Sequence, residues 1–449
     1  MRLAELDHAD LAILGLGQEG QAVRQVLSDH FPDKPVALLD EQLSVAKLER
    51  LKRHPDDQIH SGPFGNAGLE KFQVLVRSPG VSIYRTAVAD AVRRGVQVTT
   101  ASGIWFAENP AARTVCITGT KGKSTTAALT AHLLRALGLD VELAGNIGVP
   151  LIQYLTKQAD IWVIELSSYQ CADLVAKPTL AVLLNLSQEH LDWHGSQQQY
   201  HADKIKLLEQ ARLSIVNGQD TLAMAQTGQI ENRSLFNTAQ GFHHTREGVF
   251  QGRKLICSRE QFPLRGRHNL GNLCAALTVV EQLGYKASTA IKSVGDFKGL
   301  PHRLEVLGKR AGKLWINDSI ATTPDASRAA LEAFSELQVT LLAGGFERGL
   351  EWAGFAGWLS TAPPFAVICM PDSGSRIIQQ LKAAAVAPEG GLHEVGSLAE
   401  AVELARKITP AGGCILLSPG AASFPQFKDF QQRGAEFAAL AGIQQKTGR

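Results

Sequence analysis

"VCITGTKGKSTTAALTAHLL", residues 115–134, runs from an apolar segment through a glycine-rich turn into a stretch with helical spacing. Val115–Thr118 predicts a strand. Gly119-Thr120-Lys121-Gly122-Lys123-Ser124-Thr125 predicts a shortened Walker-type loop that opens a helix. Backbone N–H groups and the helix N-terminus would face an anion, Lys123 adds a point charge, and the Ser124 hydroxyl can ligate Mg²⁺. Only Thr120 and Lys121 separate the two glycines, where the usual nucleotide-binding loop has about four residues. A glycine turn capped by a serine is the bland alternative. Lys-Ser-Thr directly after a glycine at a helix mouth argues against it.

Around this loop, short apolar runs alternate with helix-like segments, which predicts an α/β fold with largely parallel sheets. The chain has 449 residues, too many for one core, and polar segments near Trp105–Val115 and Asp296–Glu305 suggest linkers. Three domains are expected, at 1–105, 106–299 and 300–449. Hydrophobic content of 45% and charged content of 20% suit a soluble globular protein. A net charge of +2 predicts no affinity for nucleic acid or an anionic membrane. The six cysteines are scattered, several in apolar runs, as buried thiols of a reducing compartment would be. With no signal peptide or membrane span in sight, a cytoplasmic protein is expected.

The first segment carries Gly15-Leu16-Gly17-Gln18-Glu19-Gly20 between a strand and a helix, and Asp40 ends the next strand about twenty residues on, as a ribose-binding acid does. A tight βα turn that binds nothing fits the same glycines. Ser78-Pro79-Gly80 follows another strand, at the edge where open α/β sheets bind ligands. Glu165 ends the apolar run "IWVIE", where a metal-binding carboxylate of a nucleotide enzyme belongs; a solvated strand end is the other reading. Glu189, His190 and Asp192 follow a third such strand. His190 and His194 are four apart, but the glutamate of a zinc helix and a third ligand are missing. Lys204, taken alone, is a surface lysine. Asn269 and Asn272 put two amides on one face at a helix start, or one of them caps it.

In this order, the motifs resemble the Mur ligase family, ATP-dependent amide-forming ligases of peptidoglycan precursor synthesis, with its roles in cell wall, shape and division. The resemblance covers essentially the whole chain. It rests on the short loop Thr118–Ser124, "GNIG", "ELSSYQ", the histidine loop after "NLS", "GRHNLGN", "HR", "NDS" and "LSPGAASFPQFKDFQQRG". Lys121 stands where the family usually has asparagine. The last motif and the glycine-rich first domain look like the branch that adds glutamate to UDP-N-acetylmuramoyl-L-alanine. The implied architecture is a Rossmann-like N-terminal domain, a central P-loop ATPase-like domain and a Rossmann-like C-terminal domain.

The resemblance also implies roles. Gly119, Thr120, Lys121, Gly122, Lys123, Ser124 and Thr125 would hold the ATP phosphates. Ser124, Glu165, His190 and Lys204 would organise two Mg²⁺, with Lys204 carbamylated; carbamylation needs a neutral amine and hence a desolvated, electropositive setting. Lys123, Glu165, His190 and Lys204 are thus the catalytic set. Asn269 and Asn272 would face the adenine, and Arg303 and Asp318 the nucleotide. Gly15, Gly17, Asp40 and Ser78 would take the uridine diphosphate, and Asn146, Ser167 and Gln170 the muramoyl-alanine part. A monomer is expected.

Relatives that add D-glutamate usually have lysine where this chain has Ile320, and a GGxxK lysine where it reads Gly344-Gly345-Phe346-Glu347-Arg348. Inverting the α-carbon while the amine stays aimed at the same carbonyl moves the side-chain carboxylate, so the pocket's cations must move too. The variant that adds L-glutamate and needs a separate epimerase afterwards is expected, with Thr322, Arg348, Ser423, Phe424 and Phe430 lining the pocket. Drift within a D-glutamate enzyme is the alternative. A folylpolyglutamate synthase would lack this first domain, and a non-catalytic nucleotide sensor would not need Lys123, Glu165, His190 and Lys204 together.

Overall fold

The structure, a computed structural model, describes residues 1–43, 48, 49, 51, 54–346 and 349–443. They form two compact units, one of Met1–Phe262 with His268–Phe297, the other of Pro263–Arg267 with Lys298–Arg449.

The first unit contains two parallel sheets. β1 (Leu11–Leu14), β2 (Ala37–Asp40), β3 (Gln58–Ser61), β4 (Val74–Arg77) and β5 (Gln97–Thr99) run in the order β3-β2-β1-β4-β5. β6 (Thr114–Thr118), β7 (Val141–Gly145), β8 (Ile161–Glu165), β9 (Leu180–Leu183), β10 (Leu213–Asn217) and β11 (Arg233–Phe236) run β11-β10-β9-β6-β8-β7. β1, β4, β6 and β8 are buried along their whole length, which is why they read as unbroken apolar runs rather than alternations: helices cover both faces. A small antiparallel sheet of β12 (Phe242–His244), β13 (Gly248–Gln251) and β14 (Lys254–Ser258) follows.

The expected linker at Trp105–Val115 starts too early, and the boundary after residue 105 falls inside the helix Ala101–Glu108. Its cap, Thr100, accepts from the Gly103 N–H. Ile104 packs in the core of the first sheet, while Trp105 and Phe106 pack with Cys116 and Trp162 in the core of the second. Burying an Ile or a large aromatic contributes about 1.5–3 kcal/mol each, so this helix joins the two sheets instead of separating them.

In the second unit, β15 (Glu305–Arg310) and β16 (Lys313–Asn317) form a hairpin, joined by Ala311 and Gly312 at φ +50° and +72°. Two consecutive left-handed residues match the twist of the flanking strands. With β17 (Val339–Ala343), β18 (Ala366–Cys369), β19 (Leu392–Glu394) and β20 (Cys414–Leu417) the order is β15-β16-β20-β17-β18-β19, parallel apart from the hairpin.

Each large sheet reverses its strand order part-way: between β1 and β4, around β6, and at β20. Ligands of open α/β sheets bind at the carboxyl ends of strands beside such a reversal. All six cysteines are free and buried. No helix among the described residues is long and apolar enough to cross a membrane.

Candidate active site

Three neighbouring strand ends build the crevice of the second sheet. β6 turns through Gly119 (φ +147°) and Gly122 (φ +87°) into the helix Lys123–Arg135. A Cβ on Gly119 would stand 3.0 Å from Leu184 Cβ, and one on Gly122 only 2.6 Å from Oδ1 of Asn272. Both backbone angle and space therefore demand glycine. The segment after β9 holds the loop: Thr120 N–H donates to Asn185 O (3.0 Å) and Lys121 N–H to Asn185 Oδ1 (2.8 Å). The Thr120 hydroxyl meets the Tyr200 hydroxyl at 3.0 Å, and Lys121 pairs with Glu189. Lys123 Nζ donates to Gly119 O (3.1 Å) and Thr120 O (2.9 Å). Ser124 is half-buried and Thr125 buried in the first turn of the helix.

Lys204, on the helix Gln197–Glu209, is the opposite of a surface lysine. It is 1% exposed; its Nζ donates to Gly119 O at 2.9 Å and to Thr118 Oγ1 at 3.4 Å, 4.9 Å from the Tyr200 ring centroid. Burial, reinforced by the Lys123 charge, pushes its pKa down to about 7, so a large neutral fraction exists near neutrality.

Glu165 is likewise buried. Its Oε1 accepts from Asn146 Nδ2 at 2.9 Å, and its Oε2 has no partner. An orphaned buried carboxylate oxygen is costly, and a hard divalent cation is the ligand it suits. Ser124, Glu165 and a neutral His190 fit Mg²⁺, as does Lys204 once it carries a carboxylate. His190 sits at φ +56°, with Nδ1 2.8 Å from the Tyr169 hydroxyl; burial lowers its pKa, keeping the ring neutral. His194 plays a different part. Its Nδ1 lies 2.7 Å from Asp203 Oδ2 and its Nε2 3.0 Å from Ser168 Oγ, so both nitrogens are engaged. No three His, Cys, Asp or Glu side chains form a metal cluster among the described residues.

Asn269 and Asn272 lie inside the first turns of the helix Arg267–Gln282, not at its cap. Asn272 Nδ2 donates to Asn269 Oδ1 at 3.1 Å, and its own Oδ1 abuts Gly122. The sequence-distant amides thus reach the cradle.

In the first sheet, the Ser78 hydroxyl donates to Gly15 O (2.6 Å), and Asp40 accepts from Leu16 N–H (2.7 Å) and Gln42 N–H (2.9 Å). Both side chains brace the loop whose glycines are Gly15 and Gly17. The Ser167 hydroxyl and Gln170 cap each other at the start of Ser168–Cys171, and Gln170 Nε2 donates to Glu19 Oε1 at 2.7 Å. Arg77, 1% exposed, ties the end of β4 to Asp173 (2.6 Å) and Tyr169 O (2.9 Å).

In the second unit, Asp318 follows β16. It accepts from Leu304 N–H (3.1 Å) and Ser418 Oγ (2.8 Å), yet burial pushes its carboxyl up to about 7 against those bonds and the Arg303 charge. Arg303 sits between His302 and Leu304, both left-handed at φ +61° and +45°, and its Nε is buried without a partner. Such strain is held where the surroundings require it. Thr322 and Phe424 are exposed, Ser423 and Phe430 half-buried. Phe424 meets Phe346 edge-on at 5.7 Å, and Phe430 O accepts from Ser319 Oγ at 2.8 Å. Arg348 lies outside the described residues.

Several participants carry no sequence signal. Arg433 is 1% exposed and donates to Ser319 Oγ (3.0 Å), Ser319 O (2.8 Å) and Ala421 O (3.1 Å), without an acid partner among the described residues. An arginine on a helix is ordinarily a surface residue. Tyr200 is hidden for the same reason; Tyr169 and Glu19 lie inside "ELSSYQ" and the Gly15–Gly20 loop, but only packing shows what they touch.

A UDP-N-acetylmuramoyl-L-alanine--L-glutamate ligase of Xanthomonas oryzae pv. oryzae is 40% identical over 99% of this chain and 97% of its own. The chain belongs to the Mur ligase family. Three of the family's models match in sequence: the Mur ligase MurD-like N-terminal domain at residues 9–100, the Mur ligase middle domain at 117–280, and the Mur ligase glutamate ligase domain at 302–420. The same ligase of Salinispora tropica is 38% identical over 98% of each chain. Among solved structures, the UDP-N-acetylmuramate-alanine ligase of Thermotoga maritima superposes with a TM-score of 0.59 at 18% identity, over 96% of this Mur ligase and 99% of its own chain. A MurF ligase of Thermotoga maritima, in complex with ADP, gives 0.60 at 15% over 96% and 94%. These two likenesses are of fold.

Proposed function

We propose that this Mur ligase uses ATP to join L-glutamate to the alanine carboxylate of UDP-N-acetylmuramoyl-L-alanine in peptidoglycan precursor synthesis. One observation carries the reading: the glycine cradle, with Lys123 at its mouth, has a buried lysine of depressed pKa and a buried, half-unpartnered carboxylate packed beside it. A plain glycine turn needs neither.

The Gly119–Thr125 segment holds the triphosphate, Asn269 and Asn272 face the adenine, and Arg303 and Asp318 serve the nucleotide. A carboxylate is a poor acyl donor, so an alanine carboxylate oxygen first attacks the γ-phosphorus and ADP leaves. Both reactants are anionic; Lys123 lowers their repulsion and takes up charge in the transition state. Mg²⁺ held by Ser124, Glu165, His190 and carbamylated Lys204 would supply further charge neutralisation. The glutamate amine then attacks the acyl carbon and phosphate departs. Gly15, Gly17, Asp40 and Ser78 serve the uridine diphosphate, and Asn146, Ser167 and Gln170 the muramoyl-alanine. Thr322, Ser423, Phe424, Phe430 and Arg348 serve glutamate.

The names of the relatives and Ile320 in place of a lysine support the L-enantiomer, with a separate epimerase acting afterwards. We read the enzyme as a cytoplasmic monomer of three domains, with the first boundary beyond the helix Ala101–Glu108 rather than at 105 and the second near 299. ADP release with UDP-N-acetylmuramoyl-L-alanine and each glutamate enantiomer is the test. Turnover with L-glutamate should dominate; faster turnover with D-glutamate would overturn that choice, and no release with either would overturn the reaction.

A further inference from the structure

Glu19 occupies the first turn of the helix Gln18–His30, directly behind the glycine loop of the first sheet. One carboxyl oxygen accepts from Gln170 Nε2 at 2.7 Å; the other is buried without a partner. Gln170 in turn holds Ser167, through its Oε1, at 3.0 Å from the backbone N–H and 3.1 Å from the hydroxyl. A single carboxyl therefore links the glycine loop to the segment after β8.

Two charged groups act on it, Arg77 at the end of β4 and Asp173 after the helix Ser168–Cys171. They are paired with each other at 2.6 Å, so the attraction of Arg77 for an ionised Glu19 is partly offset by the repulsion of Asp173. The first three N–H groups of the helix have no intrahelical partner; an ionised Glu19 would draw modest stabilisation from that end. Desolvation outweighs it and holds the carboxyl near 7.

We propose that Glu19 must carry a proton for the sugar nucleotide to bind, making it a specificity-determining residue of that site. The inference rests on the uridine-diphosphate role of the glycine loop given above. A diphosphate brings two negative charges to a loop already braced by Asp40, and the first-turn acid beside it shares its one cation, Arg77, with Asp173. Ionised, Glu19 repels it; protonated, the orphaned oxygen becomes a donor that a phosphate or sugar oxygen can accept. Neither the diphosphate nor the alanine carboxylate titrates near neutrality, so the proton is assignable to the protein.

Titration calorimetry of UDP-N-acetylmuramoyl-L-alanine in buffers of different ionisation enthalpy, from pH 6.5 to 8.5, tests this. Wild type should take up close to one proton per ligand at the alkaline end, with Kd rising by about tenfold per pH unit above neutrality. Glu19→Gln should bind without proton uptake, with a flat profile and the tighter Kd at the alkaline end. Wild-type binding with no proton uptake, or Glu19→Gln keeping the wild-type uptake, would overturn the inference and leave the substrate standing. Failure of the wild type to bind at any pH would overturn the substrate reading, and this inference with it.

Discussion

The turns after β1 and after β6 share a plan: parallel strand, glycine loop, helix, all beside a strand reversal. Their chemistry is opposite. The first places an acid, Glu19, in the opening turn and uses Asp40 and Ser78 to brace its own backbone. The second places Lys123 there, with Lys204 beneath and Glu165 to one side. Both turns offer backbone N–H groups to an anion; they differ in the first-turn charge and in what is buried behind it.

The sharpest way to break the contrast is Lys123→Ala. It should lower ATP-dependent product formation by roughly 10²–10³, as loss of one preorganised donor to a developing charge does, with the circular dichroism spectrum unchanged. A variant with wild-type turnover would end the case for the second turn as the triphosphate cradle.

Replacing His194 by alanine should cost about 1–3 kcal/mol in urea denaturation, because buried Asp203 and Ser168 each lose a partner. A neutral result would show that the network around Lys204 is not held from this side. Gly122→Ala should cost a similar 1–3 kcal/mol, from φ +87° and the 2.6 Å approach to Asn272. Gly17→Ala, at φ −72° with nothing within 4 Å, should stay within about 0.5 kcal/mol. Equal costs for the two glycines would erase the structural half of the comparison.

The smallest effect concerns Lys204. A CO₂-stripped enzyme should regain activity at fixed dissolved CO₂ faster as pH rises through about 7, because the amine must be neutral and burial with the Lys123 charge holds its pKa there. Recovery that stays slow until pH 10 would place Lys204 in water-like surroundings.

Much of the fold was legible because buried parallel strands are continuous apolar runs, and "VCIT", "IWVIE" and "LAIL" are such runs next to glycines. Glu165 could be placed at a strand end by counting along its run. The helix Ala101–Glu108 was not legible as a joint between two cores, since a polar segment with a proline looks like a linker until its tryptophan is seen buried. Lys204 and Arg433 look like surface cations because helix periodicity does not say what packs above a face.

By itself, the sequence determined the strand–loop–helix units, the short cradle and the family likeness, because backbone propensity and glycine placement are local properties. Only the tertiary structure decided that burial draws the Lys204 pKa down to about 7, that Asn272 requires Gly122 to be glycine, that His194 is fully engaged, and that burial draws the Glu19 pKa up to about 7. Each depends on desolvation and on neighbours brought together from distant parts of the chain, and both are set by packing.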